Sequence, residues 1–184
     1  MILLASSSPR RREILEMLGL NFKVIPSSAD ETVPEGLNPV QTVEYLAGIK
    51  AQAVRNSALQ GDIIVSADTI VVIDGQIFGK PADRNEAIEM LSRLSGRTHE
   101  VYTGICVNDQ VSHECSKVTF RTLSMDEIEA YIDTGEPMDK AGAYGIQGKG
   151  SLLVSRIEGD YFNIMGLPVC RLGQMLKNYG VKVI

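Results

Sequence analysis

The sequence predicts an α/β protein with a mixed, twisted sheet flanked by helices, and three observations carry that prediction. Runs of β-branched residues alternate with segments of helical periodicity, the pattern of strands joined by helices. Asp74-Gly75, behind the apolar run at 63–73, is a hairpin signal. A second pair of strands, 101–107 and 111–121, is joined by a turn at Asn108-Asp109-Gln110. Two hairpins set into an alternating chain exclude a purely parallel sheet.

Length and composition narrow the function classes. At 184 residues the chain can bury a substantial core, and 1–184 is expected to form a single domain. A net charge of −5 argues against binding nucleic-acid polymers, which call for a basic face, but leaves room for a small phosphorylated ligand met by a few local cations. Met1-Ile2-Leu3-Leu4 is too short for a signal peptide, and no apolar run is long enough to span a bilayer. The expectation is a cytoplasmic protein with no membrane partner. Cys106, Cys115 and Cys170 lack the paired short spacing of a zinc site or a disulfide framework, so each is read as a small hydrophobe.

From the amino terminus, Ile2-Leu3-Leu4 reads as a strand and Ala5-Ser6-Ser7-Ser8-Pro9 as the turn into a helix over 9–18. Ser8 is the expected N-cap, Pro9 suits the first helical position and Gly19 ends the helix. Arg10, Arg11 and Arg12 then fall in the first turn, where the helix dipole disfavours cations. An anion held by the free N–H groups, the serines and a guanidinium explains them; surface pairing with Glu13 or Glu16 is the plainer reading.

A strand at 22–25 leads into a polar loop carrying Asp30, Glu31 and Glu35. Asn38-Pro39-Val40-Gln41 is a capping box opening a helix that reaches about residue 56. Val43, Ala47, Lys50 and Val54 share one helical face, so Lys50 either snorkels to solvent or meets a buried anion. In the strand that follows, Asp68 stands where an apolar residue belongs. A carboxylate there needs a cation, a metal or several donors. It is either a catalytic or metal-binding group at the lip of the sheet or a structural aspartate capping a bulge.

Beyond the hairpin, Lys80 follows closely, and Asp83-x-x-Glu86 is a second capping box with Ala87, Met90, Leu91 and Leu94 as its buried stripe. Gly96 stops that helix, and Ser124-x-x-Glu127 caps another that ends at Ile132. Five glycines between 135 and 150 imply tight backbone and close approach to something. A Walker A loop fails there, because it would need glycine at 143 and Ser or Thr at 150, where the chain has Ala143 and Gly150. A strand at 152–157, a turn at 159–161 and a helix over 168–178 complete the chain.

The unusual residues are cations (Arg10, Arg11, Lys50, Lys80) and carboxylates (Glu31, Asp68 and, as a third candidate, Asp139). Both kinds suit a polyphosphate with its metal. Spacing alone does not bring them together; a resemblance does. Ala5-Ser6-Ser7-Ser8-Pro9-Arg10-Arg11, Ser66-Ala67-Asp68-Thr69-Ile70-Val71, Gly79-Lys80-Pro81, Val101-Tyr102-Thr103-Gly104, the run 134–148 and the run 163–168 resemble, in order, the Maf family of nucleoside triphosphate pyrophosphatases. The resemblance covers nearly the whole chain.

It implies an α/β fold related to the inosine triphosphatases, with two lobes and a deep cleft, and metal-dependent hydrolysis of a nucleoside triphosphate between the α and β phosphates. By the same resemblance Asp68 is the general base, Glu31 and Asp68 hold a divalent cation (Mg, Mn or Co), and Lys80 assists catalysis. Arg10, Arg11, Lys50 and Lys80 contact phosphates with support from Ser6, while Arg10, Thr69 and Gln147 are associated with substrate preference. Their identities look like the branch acting on dTTP and UTP, with CTP and modified pyrimidine nucleotides in range; the family also allows a homodimer. The alternative is a non-catalytic nucleotide-binding regulator of septum formation, for which a second carboxylate beside the phosphate cations has no evident use.

Overall fold

The computed structural model describes residues 1–184. Three strands open the sheet: β1 (Ile2–Leu4) lies between β2 (Phe22–Val24) and β3 (Ile63–Ile73), parallel to both. Helices α1 (Pro9–Met17) and α2 (Pro39–Val54) supply the crossovers that parallel neighbours require. A single 3-10 turn, Arg55–Ser57, follows α2. Asp74 and Gly75 both have positive φ, 52° and 74°, the turn that matches strand twist, and β4 (Gln76–Phe78) returns antiparallel on β3.

The chain continues through α3 (Arg84–Leu94), β5 (Thr98–Val107), β6 (Gln110–Phe120), α4 (Met125–Ile132), β7 (Val154–Glu158), α5 (Tyr161–Met165) and α6 (Val169–Lys177). The strand order is β2-β1-β3-β5-β6-β7, with β4 on β3, and β6 pairs antiparallel with β7. Parallel and antiparallel pairs in one sheet give the mixed α/β fold that the hairpins predict.

The chain divides into two compact units, one of residues 1–69, 103–114 and 162–184, the other of 70–102 and 115–161. The core of the first joins Leu3, Ala5, Ala47, Ala51, Val54, Ile64 and Cys106, with Ile25 and Ala58 against it. The second is built around His99, Phe120 and Tyr144, which meet edge to face, and around the buried Ala87, Met90, Leu91 and Leu94 of α3.

Local signals hold in most places. Both reciprocal caps form, Asn38 with Gln41 and Ser124 with Glu127. Asp83 caps α3 by accepting from the Glu86 N–H at 2.9 Å, but the Glu86 carboxylate takes the Ala82 N–H at 2.6 Å, so that box is only half made. Ser8 sits at the N-cap of α1 without capping it; its own N–H donates to Ser6 Oγ at 3.2 Å.

The expected strand at 152–157 begins later, because Gly148–Leu153 winds into 3-10 turns, and the expected turn at 159–161 leads directly into α5. A five-residue helix offers too few positions for a periodic pattern to show. Cys106 is buried as expected, whereas Cys115 and Cys170 are exposed, and all three are free thiols. Burial pushes the Cys106 thiol up to about 11, so it behaves as a hydrophobe.

Candidate active site

The first unit brings two groups of the predicted residues together. In one, Lys50 Nζ is 2.5 Å from Asp68 Oδ1 and 2.9 Å from Glu31 Oε2. Lys50 does not snorkel: its side chain is 11% exposed, Asp68's 14% and Glu31's 56%, so one ammonium joins a sheltered carboxylate to an open one. The Glu31 loop is shaped by its neighbour, since Asp30 Oδ1 accepts from both the N–H and the hydroxyl of Thr32. That turn presents Glu31 beside α2.

Helix α2 is held to the sheet at two places near Lys50. Ser66, fully buried in β3, donates its hydroxyl to the Ala47 carbonyl at 2.6 Å, one turn before Lys50. Gly104 in β5 lets the α2 backbone close in, for a Cβ there would stand 2.1 Å from the Val43 oxygen. Lys50 lies two turns beyond Val43 on the same face. The sheltered ammonium therefore follows from how closely backbone meets backbone.

The other group is centred on Arg11. Its Nε donates to the Gly166 carbonyl at 2.7 Å, Nη1 to Ser6 Oγ at 3.0 Å and Nη2 to Thr69 Oγ1 at 3.2 Å. Burial lowers the pKa of the Arg11 guanidinium, while Asp68 and Glu31 push it back up and Arg10 adds to the lowering. Ser6, 7% exposed, thus serves Arg11. Arg10 is half-buried and makes no hydrogen bond or ion pair, whereas Arg12 pairs with Glu16 at 3.5 Å. Of three adjacent arginines, one is built into the framework, one is unpartnered and one takes the surface pairing. The first turn of α1 contains no acidic residue, so its N–H groups and the Arg10 side chain offer positive charge with no acidic side chain of that turn to offset it.

Lys80 and Gln147 belong to the second unit. Lys80 is exposed just beyond β4, without an ion pair. Gln147 is half-buried, precedes the 3-10 segment Gly148–Leu153, and its side chain makes no cap bond there. Its backbone surroundings are tied by Glu136, whose carboxylate accepts from the N–H groups of Lys149 and Gly150, each at 3.1 Å, and from the Tyr131 hydroxyl at 3.0 Å. Asp139 is exposed and its carboxylate lies 2.6 Å from the Nζ of a largely sheltered Lys140, which also donates to the Glu136 carbonyl at 2.6 Å.

Residue patterns alone missed the supports: Thr103, Gly104, Asn163 and Gly166, which place Arg11 or α2. The sequence signals for them are a Thr-Gly step inside an otherwise apolar strand run and a glycine before Leu167-Pro168.

The first unit thus holds a sheltered carboxylate paired to an ammonium, a second carboxylate on that ammonium and a guanidinium fixed by three hydrogen bonds. The family model described as "Maf-like protein" matches residues 1–179, and the chain belongs to the Maf family. It is 49% identical to a dTTP/UTP pyrophosphatase of Pelotomaculum thermopropionicum, over 100% of this chain and 98% of that protein. It is 52% identical to a dTTP/UTP pyrophosphatase of Moorella thermoacetica, over 99% of this chain and 96% of that protein. Among solved structures, the Ham1 protein of Staphylococcus aureus aligns at 15% identity over 65% of this chain and 70% of that one, with a TM-score of 0.44.

Proposed function

We propose that this protein is a nucleoside triphosphate pyrophosphatase that hydrolyses dTTP and UTP to the monophosphate and pyrophosphate, acting in the cytoplasm on free nucleotides. The observation that carries the reading is the Glu31–Lys50–Asp68 group, with the Arg11 guanidinium felt by both carboxylates. It is supported by the names of relatives that match end to end.

In this reading Asp68 accepts a proton from water, the water oxygen bonds to the α phosphorus, and the bond from that phosphorus to the bridging oxygen breaks, releasing pyrophosphate. Lys50 holds Asp68 in place through their 2.5 Å ion pair. Arg10, Arg11 and Lys80 neutralise phosphate oxygens. Glu31 and Asp68 meet on one ammonium, and no group of three or more His, Cys, Asp or Glu forms a cage. Two carboxylates suit Mg²⁺ or a similar ion, which commonly takes one or two carboxylates and completes its shell with water and substrate phosphates. When bound, such an ion supplies further charge neutralisation at the phosphate oxygens. The Gln147 amide carries a donor and an acceptor, which complement the O4 acceptor and N3–H donor of uracil or thymine.

Asp68→Asn keeps the shape of the side chain and removes the base, so turnover of UTP should fall by roughly 10²–10⁴-fold. A folded variant with unchanged turnover rejects Asp68 as base. Pyrophosphate release from UTP, dTTP, CTP and GTP tests the substrate class. Preference for GTP overturns the pyrimidine assignment, and tight binding without release favours a regulator.

A further inference from the structure

We propose that Thr103 is a positioning residue for Arg11, acting through Thr69. The inference rests on the reading of Arg11 as a phosphate ligand. It gives a role to Thr103 and Asn163, which this reading leaves without one.

The direction of each hydrogen bond follows from which atoms can only donate or only accept. The Asn163 backbone oxygen only accepts, and Thr103 Oγ1 lies 2.8 Å from it, so the single Thr103 proton is committed there. Thr69 Oγ1, 2.9 Å from Thr103 Oγ1, must then donate to it. That leaves the lone pairs of Thr69 for Arg11 Nη2, which only donates. The chain runs one way, from guanidinium to Thr69 to Thr103 to the Asn163 carbonyl, and ends on backbone.

Thr103 is 0% exposed, so it touches no substrate. Gly166 closes the other side. Its carbonyl takes Arg11 Nε, and with φ at +106° a Cβ there would stand 3.2 Å from Thr69 Oγ1 and 3.6 Å from Arg11 Nε and Nη2. A guanidinium has five N–H groups. Gly166, Ser6 and Thr69 hold three, leaving one on each terminal nitrogen for phosphate oxygens. Fixing the plane of the guanidinium decides where those two point.

Thr103→Val matches the shape and removes both the donor to Asn163 and the acceptor for Thr69. It should lower kcat/KM for UTP by about tenfold, and Thr103→Ser should recover it to within about threefold. In an Arg11→Lys background the same Thr103→Val change should cost less than about twofold, because the group it positions is gone. Equal losses in both backgrounds, or no recovery by serine, overturn the proposal. Hydrogen exchange of the Arg11 Nη2–H protons, read by NMR at low temperature on the folded variant, needs no turnover: it should quicken about tenfold in Thr103→Val, and an unchanged rate overturns the proposal. If the unsubstituted protein releases no pyrophosphate, the functional reading fails while the exchange measurement still decides whether Thr103 positions Arg11.

Discussion

Lys50 is the residue on which most of the site's charge balance falls. A helical stripe of Val43, Ala47, Lys50 and Val54 shows that a lysine sits among apolar neighbours, but helical periodicity is silent about what lies opposite. The answer is unequal: Asp68 is sheltered and Glu31 more than half exposed. Water can replace Lys50 as Glu31's partner far better than as Asp68's. Lys50→Met should therefore cost about 1–3 kcal/mol of stability in urea unfolding, the cost of leaving a sheltered charged acceptor without its donor. Glu31→Gln should cost less than about 1 kcal/mol. Combining Lys50→Met with Asp68→Asn should restore part of the loss, since a neutral amide tolerates shelter better than a carboxylate. Equal costs for Lys50→Met and Glu31→Gln would show that exposure does not govern this group.

Elements take over where side chains reach their places only because backbones lie close. Helix α2 rests on β5 at Gly104, where even a methyl group would meet the Val43 carbonyl. Gly104→Ala should destabilise by about 1–3 kcal/mol and lower turnover as well, because displacing α2 carries Lys50 away from Asp68; thermal unfolding and UTP hydrolysis check the two effects. The glycine-rich segment works similarly. Its composition predicts close approach to something, and that something is the chain itself. A Cβ on Gly150 would lie 2.2 Å from the Gly145 oxygen, and one on Gly142 2.8 Å from Val71 Cγ2. Glycine content cannot tell a phosphate from a neighbouring carbonyl, since both demand the missing Cβ. Glu136 ties this segment with two amides and a hydroxyl, so Glu136→Ala should quicken hydrogen exchange at Lys149 and Gly150 while leaving the amides of α2 protected. Uniformly raised exchange would mean global loosening instead.

For the molecule as a whole, the α/β class, both hairpins and the major helices are legible, because strand runs, turn dipeptides and caps are local signals. The short α5 and the supports beneath Arg11 are not. Thr103 and Asn163 are 60 positions apart, and nothing local marks them as partners. His99 is of the same hidden kind: a polar residue in a strand that proves 1% exposed, in contact with Phe120 and hydrogen-bonded through Nε2 to the Tyr144 hydroxyl at 2.8 Å. Its Nδ1 has no partner, and burial lowers the ring's pKa from 6.5 to about 4. Above pH 6.5 His99 is neutral in both folded and unfolded chains and contributes no slope. Between 6.5 and 4 the unfolded chain binds a proton that the folded one refuses, so stability is greatest above this window and falls as pH drops through it. A span of about 2.5 pH units at 1.36 kcal/mol each puts the full loss on the order of 3 kcal/mol. Glu127, held at about 2 by Arg121, takes up its proton near 4.5 in the unfolded chain, so its own loss begins at the lower edge of the window, and only the slope that His99→Gln removes is assigned to His99. Urea unfolding at pH 7.5, 5.5 and 4.5 should show the decline, and His99→Gln, which cannot take up the proton, should flatten it by about 1.4 kcal/mol per pH unit at its steepest. An identical slope in His99→Gln would move the acid sensitivity to other groups.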